Sequence, residues 1–221
     1  MAPSTPNLAQ DLIRIHKVIT RAVNVGLSSA KQLQKSGYDS PQTLTGYISY
    51  IHCLVTVLDS HHTSEDLIAF PAFRKVLPFA PYSRLTSDHQ KIVGFLEKIQ
   101  PALTNITSSY TDAGLSEIID LLQKTSQIWF PHIQVEEVNF SSEAVNAVMN
   151  YEEQNRISEA ASKLSQEHSD PPYWVVPFVL FNLEIEDRAI MSAQLPPAIV
   201  NELVPKVWKD QWAPMKPYLL E

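Results

Sequence analysis

Cysteine is almost absent: Cys53 is the single one in 221 residues. An intrachain disulfide is therefore impossible, and the composition fits a reducing compartment. Basic residues are in the minority, with 17 Lys and Arg against 24 Asp and Glu. That balance argues against the basic patch or stripe of a nucleic-acid footprint. No uncharged apolar run reaches about 18 residues, so no membrane span is expected. The amino-terminal stretch MAPSTPNLAQDLIRIHK lacks the charged and apolar regions of a signal peptide. The expectation is a cytoplasmic protein without nucleic-acid or membrane partners. Glycine is scarce as well, at 5, while 16 prolines gather between periodic stretches. Together these suggest helices with hard stops, and strand-like alternation is scarce throughout.

What is present is helical periodicity. Leu12, Ile15, Ile19, Val23 and Leu27 recur at helix spacing up to a stop at Ser36-Gly37. A second helix is expected from Pro41 through HHTSEDLIAFPAF, a third over roughly 85–107, and a fourth over roughly 115–140. Ser141 or Ser142 then caps a further helix, EAVNAVMNYEEQNRISEAASKL, with Ser142 ahead of Glu143 as the candidate N-cap. The apolar segment VVPFVLFNLEIEDRAIMSAQL and then PPAIVNELVPKVWKDQW follow. The fold class is all-α.

Two stretches interrupt the apolar pattern with ligand-type side chains. One is HHTSE at 61–65 and the other HIQVE at 132–136, each placing a Glu four residues after a His. His16 precedes the first and His89 the second at nearly equal separations. The midpoint between His16 and His61 falls in SGYDSP, and that between His89 and His132 in SSYTDAG, both expected turns. The midpoint between Glu65 and His89 lies beside LPFAPY. In an antiparallel bundle, residues equidistant from a turn lie at one height. His16, His61, Glu65, His89, His132 and Glu136 should therefore meet at one level.

Residues four apart share a helix face, so each His-Glu pair can point inward together. Burying two carboxylates without partners costs several kcal/mol each (order of magnitude), so burial demands cations. No Lys or Arg occupies the equivalent inner positions, which makes a pair of metal ions the natural counter-charge. Each ion would take two histidines, with Glu65 and Glu136 bridging. A mixed imidazole and carboxylate set suits iron, with manganese or zinc as alternatives from ligand type.

His16, HHTSE, His89 and HIQVEE resemble the hemerythrin-like, His-His-Glu cation-binding domain, over roughly residues 8–140. The resemblance implies an antiparallel up-and-down four-helix bundle over 1–140, with residues 141–221 as a helical extension docked on it. It also implies two iron ions, carboxylate-bridged with an oxo or hydroxo bridge, that bind or react with dioxygen. The six residues named above map onto its ligand positions. FVLFNLEIEDRAIMSAQLPP resembles an extension carried by some members. The chain departs from the oxygen carriers, which have five ligand histidines: Val93 stands four after His89, where they have a second His. Their last acid is an Asp five after its His, whereas Glu136 is at four. Six ligands leave about one open position on each ion, which suits oxygen activation on a small apolar or aromatic molecule. The alternative is a non-catalytic oxygen-binding, iron-handling or sensing module.

Neighbours of the ligand positions have plainer readings beside the functional ones. His62 is the rival of His61; it has Asp66 rather than Glu four residues on, and is expected beside the ligands rather than on the metal. Asp66 and Glu137 are expected to hydrogen-bond near the site. Leu12, Val57, Leu58 and Trp129 are core residues that could also wall a substrate pocket. His52 is expected outside the site, His168 in solvent, and Cys53 in the core. The aromatic tail from about Pro171 is expected to dock on the bundle, where it could cover a cavity beside the ions.

Overall fold

A computed structural model describes residues 8–38, 40–108 and 112–220. Four long helices form the frame: α1 (Leu8–Ser36), α2 (Pro41–Ser64), α4 (Tyr82–Ser108) and α5 (Asp112–Asn139), with the short α3 (Phe70–Phe73) between the middle two. Helix α1 ends at Gly37, whose φ of 73° suits glycine, and the Gly37 N–H returns to the Leu33 carbonyl at 2.9 Å. Ser40 caps α2 by accepting from the Thr43 N–H at 3.2 Å, with Pro41 opening the first turn. Parts of both turns expected at SGYDSP and SSYTDAG, residue 39 and residues 109–111, lie outside the described residues.

Contacts set the helix directions. His16 meets His61, whereas Gly26, farther along α1, meets Tyr47 and Ile51 of α2. Thr20 meets Trp129 and Gln34 meets Ser116, so α1 and α5 also run oppositely. His89 meets His132, and Ile106 packs on Gly114, which makes α4 and α5 antiparallel too. The result is a helical bundle, and no strand occurs among the described residues. No described helix is long and apolar enough to cross a membrane.

Prolines do not act only as stops. Pro101 lies inside α4 and Pro131 inside α5. Pro71 has a sharper effect, because it lacks the N–H that would bond back to Leu67. Just before it the ladder widens into a π turn, Glu65–Ala69, and the Phe70 N–H bonds to the Glu65 carbonyl. The helix expected across 143–164 is two. Ser141, not Ser142, caps α6 (Ser142–Val148), because its hydroxyl is the one that accepts from the Ala144 N–H. A break at Met149 then leads to α7 (Tyr151–Glu167), opened by a capping box between Asn150 and Glu153. That box gives the backbone a better start at Asn150 than continuation through it.

Two apolar clusters fill the interior. The larger joins α1, α2, α4 and α5 to Val175, Phe178 and Leu183 and to Trp212, Met215 and Tyr218 of the tail. The smaller gathers Leu8, Phe70, Phe73, Leu85 and Phe140 with Val145 of α6, Met149 at the break and Ile157 of α7. The extension after residue 140 thus shares both clusters with the bundle.

The tail comprises α8 (Pro172–Phe181), α9 (Ile185–Ala193), a π segment (Ile199–Val207), α10 (Lys209–Trp212) and a 3-10 turn (Ala213–Tyr218). Its last turn lies along the first half of α2. Tyr218 donates to the Thr43 carbonyl at 2.9 Å, and Tyr50 donates to Asn182 Oδ1 at 2.7 Å. A Cβ on Gly46 would collide with the Pro214 carbonyl. Gly46→Ala is therefore expected to cost about 1–3 kcal/mol through overpacking. Metal content should be unchanged, because the ligand end of α2 is about 20 Å away at about 1.5 Å per residue. Chemical denaturation checks this; wild-type stability would mean that the tail does not seat there.

Candidate metal centre

On every long helix the ligand-type residue stands where one apolar cluster gives way to the other. Along α1, Leu8 and Ala9 belong to the smaller cluster and Val18 and Ile19 to the larger, with His16 between them. Along α4, Leu85 and Ile92 bracket His89 in the same way, and Trp129 of α5 and Phe140 just past its end bracket His132 and Glu136. His16, His61, Glu65, His89, His132 and Glu136 are all buried. The expected six come together in one layer.

Glu65 and Glu136 lie at its centre. Glu65 lies 3.4 Å from the Nε2 atoms of both His61 and His89, and 3.9 Å from His16 Nε2. Glu136 lies 3.1 Å from His132 Nε2, 3.3 Å from His16 Nε2 and 3.8 Å from His89 Nε2. Among the described residues, every ionic contact of the two acids is to histidine, and none is to Lys or Arg. Two donor groups result. His16, His61, Glu65 and Glu136 have ligand atoms within 4.8 Å of one another, and so do Glu65, His89, His132 and Glu136. The groups share both carboxylates.

Acids outside the layer hold the rings. His16 Nδ1 bonds Glu137 Oε1 at 3.0 Å, and His89 Nδ1 faces Asp66 Oδ2 at 3.0 Å. Thr86 in turn donates to Asp66 Oδ1 at 2.8 Å. A carboxylate on Nδ1 fixes the tautomer and turns the Nε2 lone pair inward. Asp88 Oδ2 lies 4.0 Å from His132 Nδ1, too far for a hydrogen bond. Nothing in the sequence marked Asp88, Thr86 or Thr20; only nearness in space shows their contacts.

Without cations the charge balance rests on protons. Burial works against a charged His16, but its contacts with Glu136, Glu137 and Glu65 carry its pKa well above the usual range. Burial likewise opposes charge on His89, yet Asp66, Glu136 and Glu65 push its pKa up to about 9. Burial and the neighbouring Glu136 raise Glu65. Burial would raise Glu136 too, but its close contacts with the His132, His16 and His89 rings hold it well below the carboxylate range. Burial drives His61 and His62 well below the usual histidine value.

Aromatic rings close the layer on both sides. Trp129 stands edge-on to His16 and His61 at 5.6 and 5.9 Å, and its indole N–H donates to Thr20 Oγ1 at 3.0 Å. Phe70 stacks on His89 at 5.5 Å from the other side. Of the four residues expected to wall a substrate pocket, Val57, Leu58 and Trp129 lie in the larger cluster and Leu12 packs on the smaller. The tail from Pro171 packs on the bundle through Val175, Phe178 and Leu183 of the larger cluster. Helices α6 and α7 contribute to the cluster on the Phe70 side, and α9 reaches the outer face of α1 through Asp187, 3.2 Å from Arg14 and 2.6 Å from Lys17. His52 packs against Trp174, 5.9 Å between centroids, and His168 is exposed. Cys53 is a core residue whose thiol burial holds protonated.

The donor set fits cations. His16 Nε2, His61 Nε2, Glu65 Oε2 and both Glu136 oxygens are buried without a hydrogen-bond partner among the described residues. Each such orphan costs about 1–3 kcal/mol, more when charged, so the layer is a poor structural core and a good ligand shell. The sequence profile of the hemerythrin HHE cation binding domain matches residues 7–142. The chain belongs to that family. No curated protein and no solved structure matched it in the comparisons made. This hemerythrin-like chain is thus a helical, cation-binding protein whose His/Glu cluster lies within the matched span.

Proposed function

We propose that this hemerythrin-like protein holds two iron ions and uses them to bind and activate dioxygen, as an oxidoreductase acting on a small apolar or aromatic molecule. His16 and His61 would hold one ion and His89 and His132 the other, with Glu65 and Glu136 available to both. Two donor groups that share both carboxylates carry this assignment. Imidazole and carboxylate donors suit iron and leave manganese and zinc as competitors. A cytoplasmic setting is part of the proposal, supported by the single buried cysteine.

When bound, a ferrous pair supplies electrons and Lewis acidity toward dioxygen. The chain's own residues do the rest. Glu137 keeps the proton of His16 on Nδ1, leaving Nε2 free to ligate, and Asp66 sets a negative charge 3.0 Å from His89 Nδ1. Trp129, fixed by Thr20, and Phe70 exclude water from either side of the layer.

One observation favours the second reading, a non-catalytic module that binds oxygen, handles iron or senses. The expected pocket residues stand on opposite sides of a layer packed with rings, and a diatomic ligand needs no chamber. Anaerobic loading with ferrous iron, followed by limited oxygen, separates the two. We expect two irons per chain and net oxygen consumption stimulated by members of an aromatic substrate panel. Fully reversible oxygen uptake without stimulated consumption would select the binding module.

A further inference from the structure

His62 has no part in the roles above, yet it lies inside the layer at 1% exposure. Its ring stacks on His89, with centroids 4.0 Å apart and planes 15° apart. An imidazole lone pair lies in the plane of its ring, so two rings stacked face to face do not converge on one ion. The donor group that contains His62 also lacks both central carboxylates. Neither nitrogen of His62 has a hydrogen-bond partner among the described residues. What this residue offers is the face of its ring.

Phe70 offers a second face to the same histidine, 5.5 Å from His89 with planes 16° apart. Between the two along the chain, Asp66 Oδ2 lies 3.0 Å from His89 Nδ1. A continuous α-helix would not align these three. Successive residues advance by about 100°, so the path from His62 would leave Phe70 about 80° round the axis. The π turn Glu65–Ala69 inserts one residue into that path. Phe70 is thereby set back one position, to within about 20° of His62 and about 10 Å farther along the axis. Two rings on one stripe at that separation leave room for a third between them, with Asp66 at its edge.

We propose that His62 and Phe70 are positioning residues that clamp the His89 ring from its two faces and so fix where His89 Nε2 points. The proposal rests on His89 being a ligand of the centre described above. Asp66 touches the ring at a single edge atom and leaves it free to pivot about that contact. Stacking on both faces removes the pivot. A misaimed His89 weakens one ion, because it belongs to only one of the two donor groups that share the carboxylates.

The test uses the full chain and begins without metal. NMR spectra of histidine-labelled wild type should show the His89 ring protons shifted upfield by the stacked rings. His62→Phe keeps a ring and should keep that shift, whereas His62→Ala should lose part of it. After anaerobic loading with ferrous iron, chelator competition should find one ion weakened by about 10- to 100-fold in His62→Ala. Phe70→Leu should weaken the same ion, and His62→Phe should leave both near wild type. On a His89→Ala background, His62→Ala should cost nothing further, because the ring it holds is gone. Equal losses in His62→Phe and His62→Ala would overturn the clamp, since a nitrogen would then be what the centre needs. So would unchanged ring shifts and affinities in His62→Ala, or both ions weakened equally with a lowered metal-free melting temperature. A wild-type chain that takes up fewer than two ions would overturn the dinuclear centre, while the metal-free ring shifts would still decide the clamp.

Discussion

Glu136→Gln is expected to weaken both ions together, whereas Glu137→Gln should weaken only the ion ligated by His16. The adjacent acids differ in what they touch. Glu136 is buried and contacts rings from three helices, His16, His89 and His132, which fall in both donor groups. Glu137 is partly exposed and, among the described residues, has its one ionic contact with His16, at Nδ1 rather than at Nε2. The Gln substitution keeps shape and removes one negative charge where the dielectric constant is low and charge is dear. Removing one partner of a buried ionic pair costs about 3–5 kcal/mol, or roughly two to four powers of ten in affinity. Loss of a carboxylate behind a ligand ring costs about 10- to 100-fold.

Competition against a graded series of chelators measures both constants in each variant. Glu65→Gln should resemble Glu136→Gln, because Glu65 contacts His16, His61 and His89 from the π turn. Equal losses from Glu136→Gln and Glu137→Gln would mean that the wrong member of the pair has been placed at the centre. Selective loss of one ion from Glu136→Gln would remove its bridging role.

The ligand layer could be read from the chain because its geometry is local and repeated. A His and a Glu four residues apart share a face whatever surrounds them, and equal distances from turns fix height before any packing is known. His62 resisted the same treatment. A helical projection around His61 and Glu65 places His62 about 100° off axis, which in a bundle helix with one solvent face is marginal. Here α2 has little solvent face near its end. Leu58, Ser60, His61, His62, Ser64 and Glu65 are all buried, and α1, α4, the tail and α7 all pack on α2. Burial imposed by distant segments leaves no trace in the spacing of the helix they cover. The same holds for the tail. Its aromatic content announced docking, but its seat depends on Gly46 admitting the Pro214 carbonyl, a fit between surfaces that no periodicity encodes.

Removing the metal should lower the melting temperature by about 10 °C or more near neutral pH, and by progressively less as the pH falls. An ion present at about a thousandfold excess over its dissociation constant stabilises by about 4 kcal/mol. In a chain of this size each kcal/mol moves the midpoint by about 2–4 °C. The pH dependence follows from His89, whose pKa in the metal-free fold is raised to about 9. A raised histidine pKa adds stability that is fully present below about 6.5 and is lost as pH rises through 9. The metal-free protein therefore loses this contribution over that window, while ions compete with fewer protons for the same nitrogen. These are one proton linkage seen from two sides, and it widens the gap between loaded and metal-free protein as pH rises from about 6.5 to 9. Melting curves with and without iron across that range, under anaerobic conditions, measure the gap directly. A gap that stays constant with pH would show that the ions displace no proton from the layer, and His89 would then have to be removed from the ligand set.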